Sequence, residues 1–581
     1  MYFRLVALAA FCLLPTALKA QEGCTAATVY SPCEMIFDLA EKDATAHPAP
    51  YNSVDLRVEF RSPRRRTLAM PAYWDGGRRL VVRFSPVESG QWDYHVTSNV
   101  AAWNDKTGSI AVSGSDSKGF IRPANTHHWS YSEKSDGLEQ AHLWAGVTEP
   151  GFAAADEAAF RSAIDARAAQ KFTHIRGAIA APAGVPNPAL FQRLDGRVRY
   201  INEKGMVADL VLGSDPDAIA KAFPGSEDRR RYIRYLIARF SAFHVTWQSV
   251  SEFEESTNGR AVLREIGGYL KQYDPYLHPR SSGARFTSTP LLDDGWMDFA
   301  AHGASDNQLG SIEHQLYAVP FVSLNVGTGE TGAALRKSLW NATMNGQSPS
   351  FVAGADPGQA FAVWFDLLSR TRYWELEPYF DVYGARAVAL EDVEYLVYMD
   401  QPGPIELTVE KHGYEYYWIN PANGESTQKK KYSGEHFTGE PPDRSHDWIL
   451  HVVREGRVES MNRSFKFESR RVVLQEIESN SPRVPFAIEQ PTGDISISKL
   501  PAYSVKLTRE SRATRNMMYL WVGDVAAGGQ GRRILGIGPK GTLQVPPSIT
   551  RDYPAIMHLR VYGMNANGKV YELDAAHGIS R

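Results

Sequence analysis

Between Val54 and Val112 apolar and polar residues alternate with a period of two. Val54, Leu56, Val58 and Phe60 form one set, Leu80, Val82 and Phe84 a second, and Trp92, Tyr94 and Val96 a third. Successive side chains of a strand point to opposite faces, so each set predicts a half-buried strand. Ser62-Pro63, Asp75-Gly76-Gly77 and Glu88-Ser89-Gly90 are turn signals between them. Residues 21–112 therefore predict a small antiparallel β-sandwich, and the polar stretch 113–119 (SGSDSKG) a linker.

Beyond the linker the period changes. Short apolar runs alternate with helical stretches, which predicts a (β/α)8 TIM barrel over residues 120–384. The expected strands are 143–148, 172–178, 207–212, 245–250, a weak one near 281–286, then 297–302, 320–326 and 350–353. In the helix of residues 229–240, Tyr232, Leu236 and Phe240 form one stripe, which leaves Arg229, Arg230 and Arg234 for a solvated face. After Gly384 the period of two returns, predicting an Ig-like β-sandwich over 385–475 and a terminal one over 485–581, with Asn565-Ala566-Asn567-Gly568 as a hairpin turn.

Composition adds compartment and partner. The 581 residues are too many for one core. A net charge of −3 gives no cationic surface for nucleic acid or an anionic membrane. The aromatic share of 11% suits stacking against sugar rings, and equally suits β-rich domains. Residues 1–20 read as a cleavable signal peptide: Arg4, then the ten-residue apolar run 5–14, Pro15 and Ala20. That run is too short to span a bilayer, so a secreted or periplasmic protein without membrane insertion is expected. Cys24 and Cys33 are expected to pair there.

In such a barrel the chemistry sits past the carboxyl ends of the strands. The fourth run ends Trp247-Gln248-Ser249-Val250-Ser251-Glu252, which puts Glu252 where a carboxyl group can protonate a leaving oxygen. Arg176 closes the second run and can orient an anionic group, with His174 on the same face. His302 and Asp306 follow the sixth run as candidate substrate contacts. Trp247 reads as barrel core, Glu254 as a solvated or helix-starting carboxylate, Asp293 and Asp294 as a turn, and Glu313-His314 as structural. His127-His128-Trp129 has no third ligand at metal-site spacing, so neither metal nor organic cofactor is implied. No nucleophile elbow, phosphate loop or dinucleotide fingerprint occurs.

Trp247 and Glu252 are spaced as in the W-x-x-x-N-E signature, so the barrel resembles clan A glycoside hydrolases. Tyr73-Trp74-Asp75-Gly76, Val82-Arg83-Phe84-Ser85-Pro86 and Gly90-Gln91-Trp92 are similar to the sandwich that precedes the barrel in apiosidase-like proteins of the DUF4038 type. The segment 416–425 (YYWINPANGE) is similar to their C-terminal sandwich, a module labelled collagen-binding. The resemblance implies an oligo- or polysaccharide substrate and Glu252 as general acid/base. It also implies that Ser251 stands where the family's asparagine contacts the sugar. It breaks at the seventh strand, where the family has its nucleophilic glutamate and this chain has Asn325. An amide cannot form the glycosyl ester of a retaining mechanism. Three readings follow: another carboxylate serves, with Glu330 leading and Asp306 second; or the barrel binds sugar without cleaving it; or the strand-seven alignment is displaced.

Overall fold

The structure, a computed structural model, describes residues 23–131, 140–179, 184–254, 259–304, 307–456, 473–496, 500–525, 531–545 and 555–580. The expected signal peptide and Asp306 lie outside the described residues. The chain divides after Gly114 into two units.

In the first unit a five-stranded sheet runs in the order Ala26–Thr28, Thr107–Ser113, Gly90–Ser98, Leu56–Arg61, Thr67–Pro71, facing a three-stranded sheet of Cys33–Asp38, Arg79–Phe84 and Tyr73–Trp74. Phe60 and Phe84 stack at 3.9 Å across the two sheets, and Val58, Phe60, Trp92 and Val96 are fully buried. The expected all-antiparallel pairing has one exception, because Ala26–Thr28 runs parallel to Thr107–Ser113. The strand Arg79–Phe84 departs from simple alternation as well. Its second face is covered, and the buried Arg83 is matched there by Glu34 and the Tyr73 hydroxyl, each at 2.8 Å. Cys24 and Cys33 form the expected disulfide.

The second unit is built on a parallel eight-stranded sheet. We number its strands β1 (Gly146–Thr148), β2 (His174–Ala178), β3 (Val207–Val211), β4 (Val245–Gln248), β5 (Arg280–Ser281), β6 (Ala300–His302), β7 (Phe321–Val326) and β8 (Gln347–Phe351). Helices α1 (Glu157–Ala169), α2 (Pro188–Glu203), α3 (Pro216–Ala222), α4 (Ser226–Phe240), α5 (Gly259–Tyr273), α6 (Asn307–Leu316), α7 (Gly332–Met344) and α8 (Gly358–Leu368) lie between and after them. The hydrogen-bonded order is β5-β4-β3-β2-β1-β8-β7-β6. β5 is shorter than expected, because the chain leaves the barrel after Ser281. It turns back antiparallel to β6, with Ser288 N donating to Ala301 O at 2.9 Å and a bridge between Thr287 and His302. That segment spans the gap where β5 and β6 do not pair.

The barrel interior is filled by Trp144, Val207, Phe299, Ala301, Val322 and Leu324, and the hairpin of Ile121–Ala124 and His128–Tyr131 adds Ile121 and Trp129 as its floor. Arg229, expected to be solvated, is buried between α4 and α5. Its guanidinium donates to Glu265 at 2.7 Å and to the carbonyls of Phe223 and Pro224. A helix face turned from the barrel wall is still covered by the neighbouring helix, so amphipathic pattern alone does not mark it as wet.

Past the barrel, seven strands from Glu377–Tyr379 to Trp448–Arg454 form one continuous sheet around a shared core of Tyr395, Leu407, Trp418, Phe437 and Leu450. The buried Arg336 of α7 is ion-paired there with Asp447. The terminal sandwich has six- and three-stranded sheets. Its strand Met518–Val525 is apolar on both faces for a reason. Tyr519 and Trp521 enter the sandwich core, while Leu520 and Val522 pack with Leu309 and Ile312 of α6. The period of two thus serves a core and an interdomain contact at once.

Candidate active site

Strand register sets the first group. Arg176, Asp209 and Thr246 sit side by side on β2, β3 and β4. Thr246 Oγ1 donates to Asp209 Oδ1 at 2.8 Å, and the Gln248 amide donates to Asp209 Oδ2. Arg176 Nε donates to Gln248 Oε1 at 3.3 Å and lies 4.0 Å from Asp209 Oδ2. Burial pushes the Asp209 carboxyl up to about 6, against the Arg176 charge and the two donors, which hold it down. Burial likewise lowers the Arg176 guanidinium, while Asp209 and then Glu252 raise it. Arg176 therefore feels the charge of Glu252 on one side and is bound to the Asp209–Gln248 pair on the other. Asp209 and Gln248 were missed in the sequence. Their signal was a lone acid in the apolar run VADLV and an amide in VTWQ. Both are strands in which every residue is buried.

Glu252 follows β4 by four residues and is exposed. Its loop is fixed through the backbone: Ser251 N donates to Gly213 O and Ser214 O, Glu252 N donates to Ser214 O at 3.1 Å, and Gly283 N donates to Val250 O at 2.8 Å. Ser251 is half-buried beside it. Glu254 is neither solvated nor a helix start. Its carboxylate accepts from the backbone amides of Arg285 at 2.8 Å and Phe286 at 2.9 Å, tying the β4 loop to the segment that closes the barrel. Trp247 is core, as expected, with its indole donating to Asp274 at 2.9 Å.

His302, Asn325 and Glu330 form a second group, separate from Arg176 and Asp209. Phe299 and Ala301 point into the barrel, as do Val322 and Leu324. By alternation His302 and Ser323, which are paired in register, point outward. With Asn325, Glu330, Lys337 and Asn341 they line a cavity of about 900 Å³ between β6, β7 and α7. Neither ring nitrogen of His302 has a hydrogen-bond partner among the described residues, and burial lowers this imidazole to about 4. His302, expected as a substrate contact, thus faces this cavity together with Asn325 and Glu330 rather than Arg176 and Asp209. β7 shifts register against β8 between Ser323 and Val326, and Asn325 sits in that irregular stretch. Glu330 Oε2 is buried and unpartnered in the same cavity. Arg285 and Phe286, held by Glu254, line it too, so its rim adjoins the Glu252 loop.

Deeper in the barrel His174 stacks on Trp144 at 3.5 Å and meets His142 nitrogen to nitrogen at 2.9 Å. Glu313 of α6, expected to be structural, is fully buried. It accepts from Thr289 at 2.6 Å and Thr287 at 3.0 Å, and burial pushes its carboxyl up to about 8. A carboxyl raised in the folded state costs stability as pH climbs from its ordinary value near 4.5 to about 8. Glu313→Gln should be nearly neutral at pH 5, since threonine hydroxyls accept as well as donate. It should exceed wild type in Tm by a margin that widens up to pH 8 and is then constant. Thermal unfolding at both pH values checks this, and a margin that does not move with pH would refute it.

Residues 26–99 match the family described as a domain of unknown function, DUF5060, and residues 111–322 match the apiosidase-like catalytic domain. No curated protein matches the chain. A solved structure from Bacteroides vulgatus, for which glycoside-hydrolase activity is proposed, superposes with a TM-score of 0.61 at 16% identity, covering 74% of this chain and 99% of that one. A glycoside hydrolase family 5 structure from the same organism gives a TM-score of 0.50 at 12% identity, covering 61% and 97%. At such identities the two structures speak for the barrel-and-sandwich fold, while the catalytic-domain match speaks for the family. Residues 111–322 are thus an apiosidase-like catalytic domain of the glycoside-hydrolase kind, following in sequence a DUF5060 domain over residues 26–99.

Proposed function

We propose that this protein hydrolyses a glycosidic bond of an oligo- or polysaccharide with Glu252 as proton donor. The observation that carries the reading is the placement of Glu252: exposed past β4, on a backbone-anchored loop, and within electrostatic reach of the buried Arg176. Arg176 is held from behind by Asp209 and Gln248, so it can orient the Glu252 carboxylate without collapsing onto it. Ser251 supplies a hydroxyl next to the donor for the sugar. Glu330 is the second carboxylate, supported by its unpartnered buried oxygen. A base set back from the donor suits inversion, in which the carboxyls stand about 6.5–9.5 Å apart.

Asn325 favours a second reading, a barrel that binds glycans without cleaving them. Reducing-sugar release from a panel of glycans separates the two. Turnover by wild type, lowered at least about 100-fold by Glu330→Gln and spared by Asn325→Ala, is the expected result. Glycan binding without turnover by the wild type would overturn the hydrolase reading. If Asn325→Glu then created activity, the barrel would be a pseudoenzyme that kept its geometry.

We further place the protein outside the cytoplasm, on the apolar run of residues 5–14 and the Cys24–Cys33 disulfide. The intact mass of the exported chain should begin at Gln21, and a full-length mass would contradict this.

A further inference from the structure

At the amino-terminal end of the barrel strands, away from Glu252, three histidines converge on one carboxylate. His127 Nδ1 lies 3.0 Å from Glu377 Oε2, His314 Nε2 lies 3.1 Å from the same oxygen, and His128 Nε2 lies 3.2 Å from Oε1. The side chains of His127 and His314 are only 1% and 3% exposed. The glycosidase reading uses none of them.

Hydrogen bonding accounts for only part of this arrangement. His127 Nε2 stands 3.0 Å from the backbone carbonyl of Tyr317, so that nitrogen carries the ring proton. In the neutral ring Nδ1 is then bare and faces the Glu377 oxygen at 3.0 Å, so the contact calls for positive charge there, a second ring proton or a metal ion. His314 Nε2 is buried 3.1 Å from the same oxygen, within ion-pair distance but off the line of a well-formed hydrogen bond. Gly346 keeps the space beside it open, since a Cβ there would come within 2.5 Å of His314 Nε2. A cation among the three atoms supplies that charge, and each then turns its lone pair toward it.

We propose that His127 Nδ1, His314 Nε2 and Glu377 Oε2 bind a divalent transition metal, Zn²⁺ before others, as a brace for the barrel floor. The three atoms lie within 4.8 Å of one another. Tetrahedral zinc with bonds of about 2.0–2.1 Å sets its ligands roughly 3.3 Å apart, close to the separations from Glu377. Two imidazoles and a carboxylate oxygen match its ligand preference. His128 acts as an outer partner, fixing Oε1 so that Oε2 points at the metal. The fourth position falls to a water, for which a cavity of about 60 Å³ lined by His127, His128, Thr343 and Gln347 has room. The site joins the floor hairpin, the end of α6 and the first strand of the seven-stranded sheet that follows the barrel, His127 and Glu377 being 250 positions apart.

The full-length protein, stripped with EDTA and exchanged into metal-free buffer, should take up one equivalent of Zn²⁺ or Co²⁺ when titrated with either salt alone. Bound Co²⁺ should show the strong visible bands of four-coordinate cobalt. Zn²⁺ should raise Tm by about 5 °C or more. His314→Gln and Glu377→Gln should abolish the uptake and the Tm response. Failure of wild type to take up stoichiometric metal at micromolar concentration would overturn the proposal, as would equal uptake by folded variants. If a variant does not fold, the cobalt spectrum and zinc-dependent Tm of wild type still decide.

Discussion

Glu252→Gln is expected to lower kcat on a glycan by about a thousandfold, with KM within a few-fold of wild type. The amide keeps the shape of the side chain and its backbone anchors at Gly213, Ser214 and Gly283, so binding survives. What is lost is the proton for the departing oxygen, a transition-state contribution that appears in kcat. A substrate whose leaving group is already acidic needs that proton less. An aryl glycoside of low leaving-group pKa should therefore lose far less than a sugar–sugar linkage, and the alkaline limb of the pH–rate profile should flatten. Equal losses on both substrate types, or a retained alkaline limb, would remove Glu252 from the role of donor. Because Arg176 is bound to Gln248 and faces Asp209, the variant should remain as stable as wild type.

Gly283→Ala should damage the same loop without touching a charged group. A Cβ on Gly283 would lie 2.1 Å from Ser251 O and 2.7 Å from Val250 O, inside any permissible contact and against backbone that cannot rotate away. The chain must shift there, at a cost of about 1–3 kcal/mol. A displacement near 1 Å of a catalytic group costs on the order of 100-fold in rate. We expect kcat/KM to fall by about that factor, with a Tm loss of a few degrees. Gly268 in α5 is the control, since nothing lies within 4 Å of its added Cβ. Gly268→Ala should leave activity unchanged and gain about 0.5–1 kcal/mol of stability from helix propensity. Full activity in Gly283→Ala would mean that the Glu252 loop is not held where the backbone bonds put it.

The two substitutions probe different levels of one design. Strand register delivers Arg176, Asp209 and Gln248 to neighbouring positions, and the close approach of the Gly283 backbone to Val250 and Ser251 holds the Glu252 loop against them. The raised pKa of Asp209 reflects the cost of burying that acid beneath the mouth. Arg176 offsets part of the cost.

Much of this was legible in the sequence, and what was legible was local. Alternation between Val54 and Val112 determined a sandwich, and the change of period after residue 119 determined the barrel and seven of its strands to within a few residues. The strand-end position of Glu252 and the core position of Trp247 followed from the same pattern, because strand geometry fixes which side chains share a face within a few residues. The disulfide followed from there being two cysteines close together in the chain beyond the expected leader. What only the tertiary structure decided are relations between distant segments. β5 is cut short because residues 282–289 turn back onto β6, a choice made by pairing rather than by the run itself. His302 points outward because Ala301, its neighbour, fills the interior. Arg229 is dry because α5 lies over it. Glu254 is a clamp because its acceptors meet two amides thirty residues on. His127-His128 had no third ligand in the sequence because His314 and Glu377 arrive from other elements, the latter 250 residues away. Periodicity encodes the direction of a side chain relative to its own element; the partner at the end of that direction is set by packing, which no local window contains.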